Sequence, residues 1–259
     1  MYGAILGDII GSPYEFDLGD KTKNFPLFSE ESYFTDDTVM TIAVAEAFMD
    51  APDDENTIRQ RLIHSMQRWG HRYPGAGYGV RFCGWLESND PQPYNSWGNG
   101  SAMRVSALGW LCGSIEEVWE AAARSAMPTH NHPEGVKGAV ATASAIFLAR
   151  TVGKDTMLKQ MRVFYPRWQE SRIGANRFDE TCQGTMPVVF GIIQKANSFE
   201  EAIRCAMAVG GDSDTIGAIV GSIAEAIWGV SEQMRRRAMD YLPSDMVAVV
   251  EQFYERVKR

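Results

Sequence analysis

The sequence predicts an all-α protein, a single compact multi-helix domain across residues 1–259. Three observations carry this. Almost no segment alternates apolar and polar residues with period two over a useful length, so the strand pattern is missing. Apolar residues recur at helical spacing in one run after another, many opening on Ser, Thr or Asp, which satisfy the free N–H groups of a first turn. No stretch reads as a linker between domains, and no fixed-period repeat is visible.

Taken in order, residues 2–11 (YGAILGDIIG) place small residues between apolar ones, as a buried helix with close neighbours would. Asp8 lies inside this stretch and needs a partner if the segment is buried. Gly11-Ser12-Pro13 ends the run and leaves Tyr14 and Glu15 at a turn. Residues 17–33 read as a long polar loop. Thr35-Asp36-Asp37-Thr38 then leads into VMTIAVAEAFMD, where Val39, Ile42, Ala43 and Ala45 share a helical face. A Pro- and Asp-rich break over 50–56 precedes a helix at 57–70. The stretch 71–100 is rich in Gly, Pro and aromatics, with a short helix expected at 80–87. Gly98-Asn99-Gly100-Ser101 opens the apolar run AMRVSALGWL. Ser114-x-x-Glu117 and Ser198-x-x-Glu201 are capping boxes ahead of VWEAAARSA and AIRCAMAV. Further helices are expected at 134–151, 155–164, 180–195, 214–228, 231–241 and 244–257.

Composition narrows the function. The chain is 45% hydrophobic and 22% charged, ordinary for a globular protein, and its formal net charge of -8 argues against a nucleic-acid or anionic-membrane footprint. Acids gathered around a cation still leave room for a local phosphate site. Four cysteines at least 23 residues apart form neither a zinc pattern nor a disulfide framework, which fits a reducing compartment. The N-terminal apolar stretch lacks a basic n-region, and Thr215 to Val230 is short for a membrane span and contains Glu225. A cytoplasmic monomer is expected.

The acidic clusters hold the chemistry. Gly210-Gly211-Asp212-Ser213-Asp214-Thr215 places two carboxylates and a hydroxyl at a helix start, a set of hard oxygens of the kind Mg²⁺, Mn²⁺ or Ca²⁺ accepts. The same residues suit an N-cap, and one helix start can serve both ends. Thr35-Asp36-Asp37 repeats the logic far upstream. Bringing four carboxylates together is costly unless cations sit between them, so the pair favours two metals over two unrelated caps. Gly98 to Ser101 resembles a backbone cradle for phosphate, but on its own Gly-Asn-Gly reads first as a plain turn. His130 and His132 lack a zinc partner set, and contact with a ligand or a place in a polar loop both remain open. Arg235 to Arg237 read as a solvated helix face, and the aromatics of 69–97 either pack locally or stack on a base.

GAILGDIIGSPYE at 3–15, FTDDT at 34–38, GNGSAMR at 98–104, THNHP at 129–133 and GGDSDTIGAIVGSIAEAIWG at 210–229 resemble the ADP-ribosylglycohydrolase family, in family order. The resemblance implies an all-α fold with a centre of two Mg²⁺ (or Mn²⁺) ions. Thr35, Asp36, Asp37 and Asp214 would hold one ion, and Asp212, Asp214 and Thr215 the other, with Asp214 shared. Gly98, Asn99, Gly100 and Ser101 would meet a diphosphate, and His130 would lie near the ligand. Glu15, helped by Asp36 or Asp37, would do acid–base work in hydrolysing the C1″ bond of an ADP-ribosylated protein or small molecule. Arginine is the favoured acceptor; serine, a nucleobase or O-acetyl-ADP-ribose are alternatives, as is a non-catalytic ADP-ribose-binding module. Nucleic acid enters only as an ADP-ribosylated acceptor. Helical isoprenoid synthases also use Asp-rich Mg²⁺ motifs, but they space carboxylates as D-D-x-x-D, and here Asp36-Asp37 is followed by Thr-Val-Met.

Overall fold

The computed structural model describes residues 1–17, 22–49, 55–167 and 178–258. The helices run α1 (Tyr2–Gly11), α2 (Asp36–Met49), α3 (Glu55–Arg72), α4 (Val80–Leu86), α5 (Gly100–Met103), α6 (Leu108–Leu111), α7 (Ile115–Ala126), α8 (Pro133–Val152), α9 (Lys154–Met161), α10 (Cys182–Lys195), α11 (Phe199–Val209), α12 (Ser213–Trp228), α13 (Glu232–Asp240) and α14 (Ser244–Val257), with a 3-10 turn at Ser12–Asp17. Among the described residues no strand forms, and the isolated antiparallel bridge is Gly98 to Thr181. The expected break at 50–56 and loop at 17–33 lie partly outside the described residues, at 50–54 and 18–21.

The all-α expectation holds, with three local differences. The apolar run after Ser101 is not one helix. It splits into α5 and α6, because the chain leaves α5 at Met103 and turns the Arg104 side chain inward to the Ser125 carbonyl and Thr129 hydroxyl. The helix expected from 180 starts at Cys182, since Thr181 caps it by accepting from the Gly184 N–H at 3.0 Å. The helix expected at 155–164 ends at Met161. The two capping boxes form as the spacing requires. Ser114 and Ser198 accept from Glu117 N and Glu201 N at 3.2 and 3.1 Å. Their glutamates reach back to the N–H one residue before the cap, Gly113 at 2.7 Å and Asn197 at 2.9 Å.

What positions the site is the crossing of α1 on α12. A Cβ on Gly7 would fall 1.9 Å from the Gly217 carbonyl oxygen, and one on Gly3 would fall 2.0 Å from that of Gly221. The helices touch backbone to backbone, so only hydrogen fits at these contacts. This is the physical content of the small residues that interrupt the first apolar run. Glu225, the acid inside the α12 run, is buried and accepts from the Gly3 N–H at 2.8 Å and the Tyr254 hydroxyl at 2.6 Å. One continuous core then joins α1, α2, α3, α8, α10, α11, α12 and α14, with Trp69, Phe190 and Phe253 among its largest buried side chains.

Candidate active site

The two acidic clusters meet. The helix starts of α2 and α12 lie side by side, and the Thr215 hydroxyl donates to Asp37 Oδ2 at 3.0 Å. The α12 start is made by two glycines with φ of +74° and +77°, Gly210 and Gly211, a conformation that L side chains avoid. The Gly211 carbonyl accepts from the Phe16 N–H at 3.1 Å, which ties the turn bearing Glu15 to the same corner. Glu15, Asp212 and Asp214 each offer a carboxylate oxygen, all within 4.8 Å of one another.

Asp8 is the hidden organiser of this corner. Fully buried on α1, it accepts from the Thr35 N–H at 2.9 Å and hydroxyl at 2.8 Å, and from the N–H and hydroxyl of Thr38. The sequence requires Asp8 to have a partner but does not say which; its partners are the two threonines of the Thr-Asp-Asp-Thr motif. The Thr35 hydroxyl proton is thereby committed to Asp8, and its oxygen also accepts from the Asp37 N–H at 3.3 Å. Any further ligand must use the remaining lone pair of that oxygen.

The electrostatics are those of acids held close. Burial first, then Asp212 and Asp8, pushes Glu15 up to about 7. Burial and the acids Asp8, Asp212 and Glu15 push Asp36 up to about 8. Burial, and after it the neighbouring carboxylates, holds Asp37 and Asp214 well above the usual carboxylate range. Burial also raises Asp212, against an opposing hydrogen bond from Asn99 Nδ2 at 2.6 Å. Among the described residues, no Lys or Arg forms an ion pair with any of these carboxylates, and Asp37 Oδ1 is buried with no hydrogen-bond partner. Carboxylate oxygens that converge, lack cationic side chains and leave one lone oxygen unpaired fit hard divalent cations.

A cavity of about 500 Å³ opens beside the acids, lined by Glu15, Asp36, Asp212, Asp214 and Thr215 and also by Gly98, Asn99, Gly100 and His130, with Asn99 in direct contact with Asp212. The glycine segment is pinned by its neighbours: Asn99 N–H donates to the Glu180 carbonyl at 2.7 Å and Cys182 N–H to the Trp97 carbonyl at 3.0 Å. Ser101 turns away from the cavity, its buried hydroxyl donating to the Gly135 carbonyl at 2.7 Å. His132 is a helix cap, accepting from Glu134 N at 3.1 Å, while His130 reaches the cavity. Of the aromatics of 69–97, Trp69 and Trp85 pack in the core, whereas Tyr78, Phe82 and Tyr94 line the cavity. The cavity's exposed lining residues include Val80 and the stacked pair Phe16 and Phe178, whose ring centroids are 5.1 Å apart, together with Arg81 and Glu180. Sequence reasoning missed Phe178, Glu180 and Arg104 as cavity residues; Arg104 alone carried a signal, a charge inside an apolar run.

Comparison with known proteins adds identity to this geometry. A family model described as ADP-ribosylglycohydrolase matches residues 1–259. The chain is 25% identical to the uncharacterized protein YegU of Escherichia coli (strain K12), over 89% of this chain and 87% of that protein. It is 29% identical to ADP-ribosylhydrolase ARH3 of Mus musculus over 58% of this chain, and that match spans only 47% of the mouse protein. It is 23% identical to ADP-ribosylarginine hydrolase Tri1 of Pseudomonas putida (strain GB-1), over 89% of this chain and 70% of that protein. A solved structure described as an ADP-ribosylglycohydrolase-related protein complex superposes with a TM-score of 0.72 at 23% identity, covering 98% of this chain and 95% of that one, a likeness of fold. With the family model matched from end to end, and two acidic helix starts converging beside one cavity, the chain belongs to the ADP-ribosylglycohydrolase family.

Proposed function

We propose that the protein is a divalent-metal-dependent hydrolase that cleaves the C1″ bond of an ADP-ribosylated acceptor, with arginine the favoured acceptor, and releases ADP-ribose. The observation that carries this reading is the convergence of Glu15, Asp212 and Asp214 within 4.8 Å, beside a cavity that the Gly98–Gly100 segment also lines. Thr35, Asp36, Asp37 and Asp214 would hold one Mg²⁺ or Mn²⁺, and Asp212, Asp214 and Thr215 the second. Such ions supply Lewis acidity and a template for ribose hydroxyls.

The chain's own residues do the rest. The Gly98–Gly100 backbone and His130 orient the diphosphate, which leaves the distal ribose over the acids. The C1″ bond to the acceptor breaks, water adds its oxygen to C1″, and its proton passes to the enzyme while the leaving nitrogen or oxygen gains one. Glu15 lies beside Asp212 and Asp214 and can exchange that proton; burial and the neighbouring acids raise its carboxyl in the ion-free site, and bound cations would draw it back down. Asp36, in the same wall, would be deprotonated as a metal ligand and could help only as an acceptor. The acidic wall also suits a cationic guanidinium acceptor, and Tri1, a relative named for ADP-ribosylarginine, aligns over 89% of this chain.

The test is release of ADP-ribose from a panel of arginine-, serine- and nucleobase-linked substrates and O-acetyl-ADP-ribose, with Mg²⁺, Mn²⁺ or EDTA. Turnover that needs the metal is the expected outcome. Tight ADP-ribose binding with no turnover on any member would replace the enzyme by a binding module.

A further inference from the structure

Arg104, Thr129 and His130 form a buried line of hydrogen bonds that the chemistry above leaves unused. Their exposures are 1%, 0% and 6%. Arg104 Nη2 donates to the Ser125 carbonyl at 2.8 Å and to Thr129 Oγ1 at 2.9 Å. Thr129 Oγ1 lies 2.7 Å from His130 Nδ1.

A guanidinium has donors only, so the Thr129 oxygen must be the acceptor in its contact with Arg104. Two arrangements then remain for the second contact. If His130 Nδ1 carried a proton, the Thr129 oxygen would accept twice, and its own hydrogen would be stranded in a fully buried place with no acceptor among the described residues. If Nδ1 is the bare nitrogen, Thr129 donates to it and the hydroxyl is satisfied in both roles. Burying an unmatched donor is the costlier choice, so the second arrangement wins. The neighbourhood agrees: burial first, then the charges of Arg104 and Arg81, drives His130 well below its ordinary range and keeps the ring neutral. A neutral ring with a bare Nδ1 carries its hydrogen on Nε2. That nitrogen faces the glycine segment, where a Cβ on Gly100 would lie 3.2 Å from it and one on Gly98 3.5 Å. It has no hydrogen-bond partner in the protein among the described residues.

We infer that Arg104 and Thr129 are positioning residues that lock His130 in its Nε2–H form, so that His130 donates one hydrogen bond to an oxygen of the ligand held against Gly98–Gly100. The lock follows from the hydrogen-bond accounting at Thr129 together with the burial of His130; Arg104 Nε is a separate buried donor without a partner among the described residues. That the oxygen belongs to the ADP-ribose diphosphate rests on the function proposed above. At Gly100 a Cβ would press on the ring at 3.2 Å, so glycine there leaves room for the imidazole itself.

With four histidines in the chain, ¹⁵N-histidine NMR of the full protein can resolve the ring directly. The expected result is one neutral Nε2–H form, with an Nδ1 resonance displaced from that of a free imine nitrogen by the Thr129 bond. In Thr129→Val that displacement disappears and ADP-ribose affinity by calorimetry falls roughly tenfold, as loss of one well-placed hydrogen bond implies. In Thr129→Ser both return, which a purely steric role of Thr129 does not predict. An Nδ1–H ring or an imidazolium in the wild-type protein overturns the lock. A Thr129→Val spectrum identical to wild type does the same. Failure of the wild-type protein to bind ADP-ribose, with the ring still in the Nε2–H form, would sink the ligand assignment and the proposed function but not the lock.

Discussion

Glu15 is the residue whose chemistry depends most on its neighbours. It lies half-buried in a short turn, and its carboxyl is pushed up to about 7 by burial and by Asp212 and Asp8. Glu15→Gln keeps the shape and removes the proton exchange, so kcat should fall by about 10²–10⁴ with KM little changed. A fall carried mainly by KM would assign Glu15 to binding instead. The same substitution removes one charge from a repelling cluster, so in EDTA near pH 8 the variant should melt higher than wild type. Asp214 has a different role. Asp214→Ala should lose more than about a hundredfold in activity and weaken metal binding in a direct titration. Unaltered metal stoichiometry would show that Asp214 is not a ligand. At this scale the sequence was informative about identity and silent about partners. It placed Asp8 in an apolar run, but only the fold reveals that Thr35 and Thr38 satisfy it.

At the scale of elements, α1 and α12 act as one unit. Gly7→Ala would drive a methyl into the Gly217 backbone, which no rotamer change relieves. The expected loss is about 3 kcal/mol, read as a lower urea midpoint, together with reduced activity because Asp8, Asp212 and Asp214 ride on these two helices. A midpoint unchanged within error would mean that the crossing is looser than this contact. A second pairing joins α2 to α3. Burial pushes the Glu46 carboxyl up, but hydrogen bonds from Arg68, Ser65 and Trp69 outweigh burial and hold it below the usual glutamate range. A depressed folded value means that the contribution is present above the unfolded value of about 4.3 and is lost as pH falls through the folded one. Glu46→Gln should therefore lower Tm at neutral pH, with the difference shrinking toward zero in acid. Since Glu46 is partly exposed, the neutral-pH effect is small, about 1 kcal/mol or less. A difference that grows in acid would reverse the assignment. The capping boxes and most helix bounds were legible from residue order, because caps and apolar spacing act within a few residues. The division of the run after Ser101 was not, since it depends on Arg104 finding Ser125 and Thr129 across the fold.

For the whole molecule, metal and stability are linked. Carboxylates that repel one another in the folded chain are spread apart in the unfolded one, so cations that bind the folded site should stabilise it. At a hundred times its Kd, one ion adds roughly 2.7 kcal/mol, and for a chain of this size that is on the order of 5–10 °C in Tm. Differential scanning fluorimetry in EDTA against Mg²⁺ and Mn²⁺ measures it, and no shift with either ion would count against the metal reading. No helix among the described residues is long and apolar enough to cross a membrane.

Residue order by itself determined the helical class, the two acidic helix starts, the glycine segment and the small-residue face of the first helix, because periodicity, capping chemistry and turn residues are local. The tertiary structure decided which of those features face one another. It set α1 against α12 with backbone contact, brought Glu15 within reach of Asp212 and Asp214, turned Ser101 away from the cavity and gave His130 the Arg104–Thr129 relay. Those outcomes join residues up to about two hundred positions apart in the chain, and no local pattern encodes a contact of that separation.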